Sequence, residues 1–146
     1  LEAQYNLIYT DLNTLLRESD FVTLHVNLNR TTYHLIGAEQ LALMKPSSIL
    51  VNAARGSVVD PTALYEALRD HQIGAAALDV TEPEPISVDD PLLTLPNCLI
   101  VPHIASASIP ARREMSRIAA KNLIDGLNGN RLFACVNPEA YEQLVQ

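Results

Sequence analysis

Apolar residues gather in five short runs along the chain, at positions 7–10, 21–26, 49–53, 75–80 and 98–101. Within these runs apolar residues follow one another instead of alternating with polar ones, which predicts strands covered on both faces, as in a parallel sheet. Helical spacing takes over between them. Residues 12–19 read as one short helix, and residues 38–45 as another that Pro46 stops. Asp60 followed by Pro61 predicts an N-cap with proline at the first helical position, where its missing N–H costs nothing. Leu64, Ala67 and Leu68 then recur at i, i+3 and i+4, so residues 61–70 should bury one face. The longest helix is expected over residues 111–127. Met115, Ile118, Ala119, Leu123 and Leu127 share one stripe there, while Arg112, Arg113, Glu114, Arg117 and Lys121 lie mostly off it as a solvated face. Gly126 and Gly129 mark its end, since glycine accepts a left-handed conformation cheaply.

Strands alternating with helices predict an α/β fold whose parallel neighbours are joined by right-handed crossovers. In such a sheet ligands gather at the carboxyl ends of the strands. The segments to inspect are therefore His25-Val26-Asn27, Ala53-Ala54-Arg55-Gly56, the stretch beginning at Asp79, and Pro102-His103. The glycines, at 37, 56, 74, 126 and 129, nowhere form G-x-G-x-x-G, so the turn that cradles a dinucleotide pyrophosphate is not in this sequence.

Composition narrows the function. A chain of 146 residues that is 48% hydrophobic and 18% charged fits one globular domain, or most of one. A net charge of −7, with the ten Lys and Arg scattered, gives no footprint for nucleic acid or an anionic membrane. No apolar stretch approaches the roughly 18 residues of a membrane span, and the first residues carry neither a basic nor an apolar signal region, so a cytoplasmic location is expected. Cys98 and Cys135 lack the paired spacing of a zinc site or a redox dithiol; they are expected as buried free thiols, with no metal.

An ordered series of segments comes after the second helix. Asn52-Ala53-Ala54-Arg55-Gly56 closes a strand and Asp60-Pro61 opens a helix. Next stand Gly74-Ala75-Ala76-Ala77-Leu78-Asp79-Val80, Glu82-Pro83-Glu84-Pro85, Asp90-Pro91-Leu92-Leu93, and Asn97-Cys98-Leu99-Ile100-Val101-Pro102-His103-Ile104-Ala105. In this order and spacing, from about Asp11 to Pro138, the chain resembles the second half of the cofactor domain of D-2-hydroxyacid dehydrogenases. Asn27 stands where that family usually has proline. The resemblance implies a Rossmann-type parallel sheet that lacks its first βαβ, so residues 1–133 would be the second part of a dinucleotide-binding domain and residues 134–146 a tail returning to the substrate domain. The chain is then expected to be part of a longer polypeptide, with residues 7–10 left without a neighbouring strand.

The resemblance also assigns roles. A 2-keto acid carries a carboxylate, and Arg55 would bind it with a planar fork that stays charged. His103 would protonate the carbonyl oxygen as hydride arrives, and Glu84 would hold the other imidazole nitrogen. Glu84 matches the family by lying five residues after Asp79 and just before Pro85, whereas Glu82 comes two residues early. Asp79 would lie near the nicotinamide amide, and Val26, Ala53, Ala54 and Ala105 would line the ring, with Arg55 and His103 also beside the cofactor, NAD or NADP. The implied reaction is reduction of a small 2-keto acid to a D-2-hydroxy acid. His103-Ile104-Ala105-Ser106-Ala107-Ser108 is most similar to glyoxylate and hydroxypyruvate reductases, and Glu84 argues against a formate dehydrogenase, which pairs its histidine with glutamine. A homodimer with a small-molecule substrate is implied. The alternative is an NAD(H)-sensing binding protein of the corepressor type, on the same scaffold. Glu82, Asp89 and Asp90 are expected as loop charges, with Asp90 capping a turn, and His25, His34 and His71 as structural or exposed residues without convergent partners.

Overall fold

Four of the five apolar runs pair laterally into one parallel sheet in the order β1-β2-β3-β4, formed by β1 (Phe21–Leu24), β2 (Ile49–Asn52), β3 (Ala75–Leu78) and β4 (Cys98–Ile100). The computed structural model describes residues 2–143. Register places Val22, Leu50, Ala76 and Cys98 in one row, and Leu24, Asn52, Leu78 and Ile100 in the row two residues on. Side chains two apart share a face, so both rows point the same way. Against them pack α2 (Leu12–Glu18), α3 (Ala38–Leu43) and α4 (Pro61–Arg69). Leu16, Leu41, Leu64 and Leu68 from these helices join Leu24, Leu50 and Leu78 in a single core. A further short helix, α1, spans Glu2–Tyr5.

Local chemistry sets the helix starts. Asp11 accepts from the Thr14 N–H, and Asp60 accepts from the N–H groups of Thr62 and Ala63 with Pro61 in the first turn. Asp90 caps the 3₁₀ turn Pro91–Thr94 in the same way, as expected.

Two expectations fail. Residues 7–10 form no strand, and Ile8 and Tyr9 stand about 90% exposed. An apolar run becomes a strand only when a lateral partner satisfies its backbone, and among the described residues no strand pairs with it. Nor are the strands covered equally on both faces. Crossovers of one hand, β1-α3-β2-α4-β3, bring their helices to the same side of the sheet. The opposite side keeps Phe21 and Leu99 exposed and Ile49, Val51, Ala75 and Ala77 half-buried. Each strand also ends one or two residues before its apolar run does, which frees residues 25–26, 53, 79–80 and 101 to form loops at the carboxyl edge.

The described chain falls into two compact units, Leu1–Ile104 and Ala105–Gln146. The second holds α5 (Ile109–Leu127), capped by Ser108, and α6 (Ala140–Gln143). Gly129 follows α5 with φ +69°, the left-handed conformation expected of it. Asn122 bonds the backbone of Ala134 in both directions, and the Leu132 N–H donates to the Tyr141 hydroxyl. No residue of α5 is buried, so the predicted apolar stripe through Met115, Leu123 and Leu127 lies open.

Leu50, fully buried on a central strand, sets a test of this core. Leu50→Ala should lower the unfolding free energy by about 2–5 kcal/mol, the usual cost of an unfilled leucine site, read as a lower urea midpoint.

Candidate active site

Parallel strands all finish at one edge, so four loops distant in sequence emerge side by side there. After β4 the Val101 N–H donates to the Leu78 carbonyl and the His103 N–H to the Asp79 carbonyl, at 2.9 and 3.0 Å. His103 then takes φ +51°, a left-handed backbone that few non-glycine residues adopt. Asp79 stabilises that bend: its buried carboxylate accepts from the Ile104 N–H at 2.6 Å. Backbone strain is here over-determined by hydrogen bonds on both sides of the histidine, a pattern associated with functional sites.

The bend turns the imidazole to Glu84, whose Oε1 lies 2.6 Å from Nδ1. A carboxylate only accepts, so Nδ1 carries a hydrogen and Nε2 is the nitrogen this contact does not use. Both side chains are near half exposed, and an ion pair so solvated contributes little to stability. It orients instead. His103 and Glu84 line an open cavity of ≈ 580 Å³ with Asp79, Thr81, Ile100 and Pro102, a size that suits a small ligand.

Arg55 lies at the end of the next strand. It lines a second depression, ≈ 390 Å³, with His25, Val26, Asn27, Ala53 and Ala54. Its Nη1 donates to the Ala54 carbonyl at 2.6 Å. The structure thus brings His103, Glu84 and Asp79 to one cavity, and Arg55, Val26, Ala53 and Ala54 to its neighbour on the same edge. Ala105 opens the second unit.

Asn52 is a residue whose role sequence reasoning missed. Its side chain, 1% exposed, donates to the Arg55 carbonyl at 2.9 Å and accepts from the Ala54 N–H at 3.1 Å. It therefore clamps the turn that carries Arg55. A buried amide ending an apolar strand, three residues before that arginine, was the available signal.

His34 and Glu82 need correction too. His34 has convergent partners: its Nε2 lies 2.9 Å from Glu82 Oε2 and its Nδ1 3.6 Å from Asp60 Oδ2. Glu82 is no solvated loop charge, because Ser57 Oγ also donates to its Oε1 at 2.6 Å. The Ser57 hydroxyl, with a smaller contribution from His34, holds the Glu82 carboxyl below its ordinary range against the opposing effect of burial. These partners are 25 and 48 positions away in sequence, beyond any local pattern.

The cysteines are free but only partly buried. Burial pushes the Cys98 thiol up to about 11, so it is a poor nucleophile. Among the described residues no cluster of three or more His, Cys, Asp or Glu could hold a metal ion, and no helix is long and apolar enough to cross a membrane.

Asp79→Ala would leave the Ile104 N–H without this acceptor, at a cost of about 1–3 kcal/mol. Asp79→Asn keeps an acceptor oxygen and should lose less, which urea unfolding of the two variants would resolve.

Comparison with known proteins identifies the family to which this fold belongs. The D-isomer specific 2-hydroxyacid dehydrogenase NAD-binding domain matches residues 1–105. The glyoxylate/hydroxypyruvate reductase B of Enterobacter agglomerans is 54% identical over 138 residues, covering 94% of this chain and 43% of the relative. The Klebsiella pneumoniae (strain 342) protein of the same name is 52% identical, with the same coverage. This chain therefore spans less than half the length of these curated relatives. Among solved structures, the Lactobacillus jensenii D-lactate dehydrogenase with NAD⁺ superposes with a TM-score of 0.84 at 38% identity, over 92% of this chain and 44% of that one. An NADPH-dependent glyoxylate/hydroxypyruvate reductase from Sinorhizobium meliloti, in complex with NADP and malonate, gives 0.79 at 34% identity over 87% and 40%. The chain belongs to the D-isomer specific 2-hydroxyacid dehydrogenase family, within its NAD-binding domain.

Proposed function

We propose that these residues are part of an NAD(P)-dependent reductase that converts glyoxylate, hydroxypyruvate or a similar small 2-keto acid into the D-2-hydroxy acid. The observation that carries this reading is the 2.6 Å contact between His103 Nδ1 and Glu84, made at the rim of an open cavity by loops from two separate strands. The names of relatives 54% and 52% identical favour the same substrates.

The residues at the strand ends fit the nicotinamide half of the cofactor. Ala53 and Ala54 carry small side chains and leave the backbone beside Val26 open to a flat ring, and Asp79 and His103 follow on the next strand ends. Bound NAD(P)H supplies the hydride. Arg55 binds the substrate carboxylate; its bond to Ala54 uses one Nη1 donor of five on the fork. His103 holds the proton on Nε2 and gives it to the carbonyl oxygen as negative charge develops there. Glu84 keeps Nδ1 occupied, which settles the nitrogen that faces substrate. In this reading residues 134–146 are a tail returning to the substrate domain and the protein is a homodimer, as the family resemblance implies, acting in the cytoplasm; a net charge of −7 with scattered Lys and Arg offers no footprint for nucleic acid or an anionic membrane.

The test is turnover of glyoxylate and hydroxypyruvate by the full-length polypeptide, followed as loss of reduced-cofactor absorbance near ~340 nm. His103→Ala should lower the rate by roughly 10² to 10⁴, the weight of a positioned general acid, and a near-normal rate would discard that role. Arg55→Lys keeps the charge and loses the fork. It should raise the keto-acid KM and reduce kcat/KM, and unchanged constants would remove the clamp. Cofactor binding with no turnover of either acid would favour an NAD(H)-sensing protein instead.

A further inference from the structure

The loop after β2 and the loop after β3 are pressed together beside the catalytic pair. A side chain on Gly56 would fall 1.9 Å from the Thr81 carbonyl oxygen and 2.2 Å from its carbon. Only a residue without Cβ allows that approach, so the demand at Gly56 is for space. Next to this contact a single carboxylate joins three loops. Glu82 Oε1 accepts from the Ser57 hydroxyl at 2.6 Å, and Oε2 lies 2.9 Å from His34 Nε2 on the long loop after β1. His34 is itself fixed to the same neighbours. Its N–H donates to the Ser57 carbonyl at 2.8 Å, and its Nδ1 faces Asp60, the cap of α4.

We infer that Glu82 is a positioning residue for the reaction: through Ser57 and His34 it fixes the spacing between the loop that carries Arg55 and the loop that carries Glu84. The inference rests on the roles assigned above to Arg55, Glu84 and His103. Ser57 is two residues from Arg55, and Glu82 is two residues from Glu84, whose Oε1 orients the imidazole. The carboxylate clamp and the proton donor come from different loops, so their separation is fixed by what ties those loops together. Hydrogen bonds to a charged oxygen are short and strong. A misplacement of about 1 Å in reacting groups can cost on the order of 10² in rate. Glutamine at position 82 keeps the geometry without the charge, because its oxygen accepts from Ser57 and its amide donates to an imidazole nitrogen.

The experiment compares Glu82→Ala, Glu82→Gln and Ser57→Ala in the full-length enzyme, with glyoxylate and reduced cofactor as probes and thermal unfolding as a check that each variant is folded. Glu82→Ala should lower kcat/KM for the keto acid by roughly 10- to 100-fold, with the cofactor KM unchanged. Ser57→Ala, which removes one of the two bonds, should fall between it and wild type, and Glu82→Gln should keep most of the activity. In histidine-labelled protein, assigned with His103→Gln, the His103 ring resonances should move in Glu82→Ala and return in Glu82→Gln. A folded Glu82→Ala enzyme with wild-type constants overturns the inference, and so do unmoved His103 resonances in that variant or a loss in Glu82→Gln as large as in Glu82→Ala. Should wild type turn over neither keto acid, the functional reading fails, and the resonances alone decide whether Glu82 controls the setting of His103.

Discussion

A parallel ladder obliges every strand to finish at the same edge, and the candidate chemistry depends on that constraint. Arg55, Asp79 and His103 follow β2, β3 and β4 by one to three residues, so the β1-β2-β3-β4 order makes neighbours of groups that are 24 positions apart in the chain for each step. Antiparallel pairing would have sent alternate loops to opposite ends. The register then fixes how far each loop starts from the next, which is why a short excursion suffices to bring Glu84 onto His103.

Buried polar groups turn that proximity into orientation. Asp79 bonds the backbone just after His103, and Asn52 bonds it on both sides of the Ala54–Arg55 step. Each would be costly to bury unpaired, and each finds its partner in a loop that bears a candidate catalytic residue. The left-handed backbone at His103 follows from the same logic. It is tolerated because two backbone bonds, a buried carboxylate and Glu84 agree on it. Stability and orientation thus share residues at this edge, so variants at Asp79 and Asn52 are expected to affect both.

The loops form a further level of organisation. Gly56 against Thr81, Ser57 and His34 on Glu82, and His34 facing Asp60 connect segments that the sheet only places nearby. Their shared feature is that no partner is close in sequence to the other. By contrast, the apolar side of the sheet around Phe21 and Leu99 and the open stripe of α5 have no such partners among the described residues.

What the sequence determined by itself was local. Continuous apolarity marked β1 to β4, the Asp60-Pro61 pair marked the start of α4, and glycine at 129 marked the end of α5, because each depends on residues within a few positions. The order of segments from Asn52 to Ala105 was enough to identify the family, which the match over residues 1–105 shows, and so to single out Arg55, Glu84 and His103 as the candidates, without geometry. Tertiary structure alone decided the rest. Residues 7–10 read as a strand and are not one, since a strand needs a lateral partner that local apolarity cannot reveal. His34 read as a structural or exposed histidine without partners and Glu82 as a loop charge, and the two proved to be a junction of three loops, since hydrogen bonds between groups 48 residues apart exist only once the sheet has brought their loops to one edge.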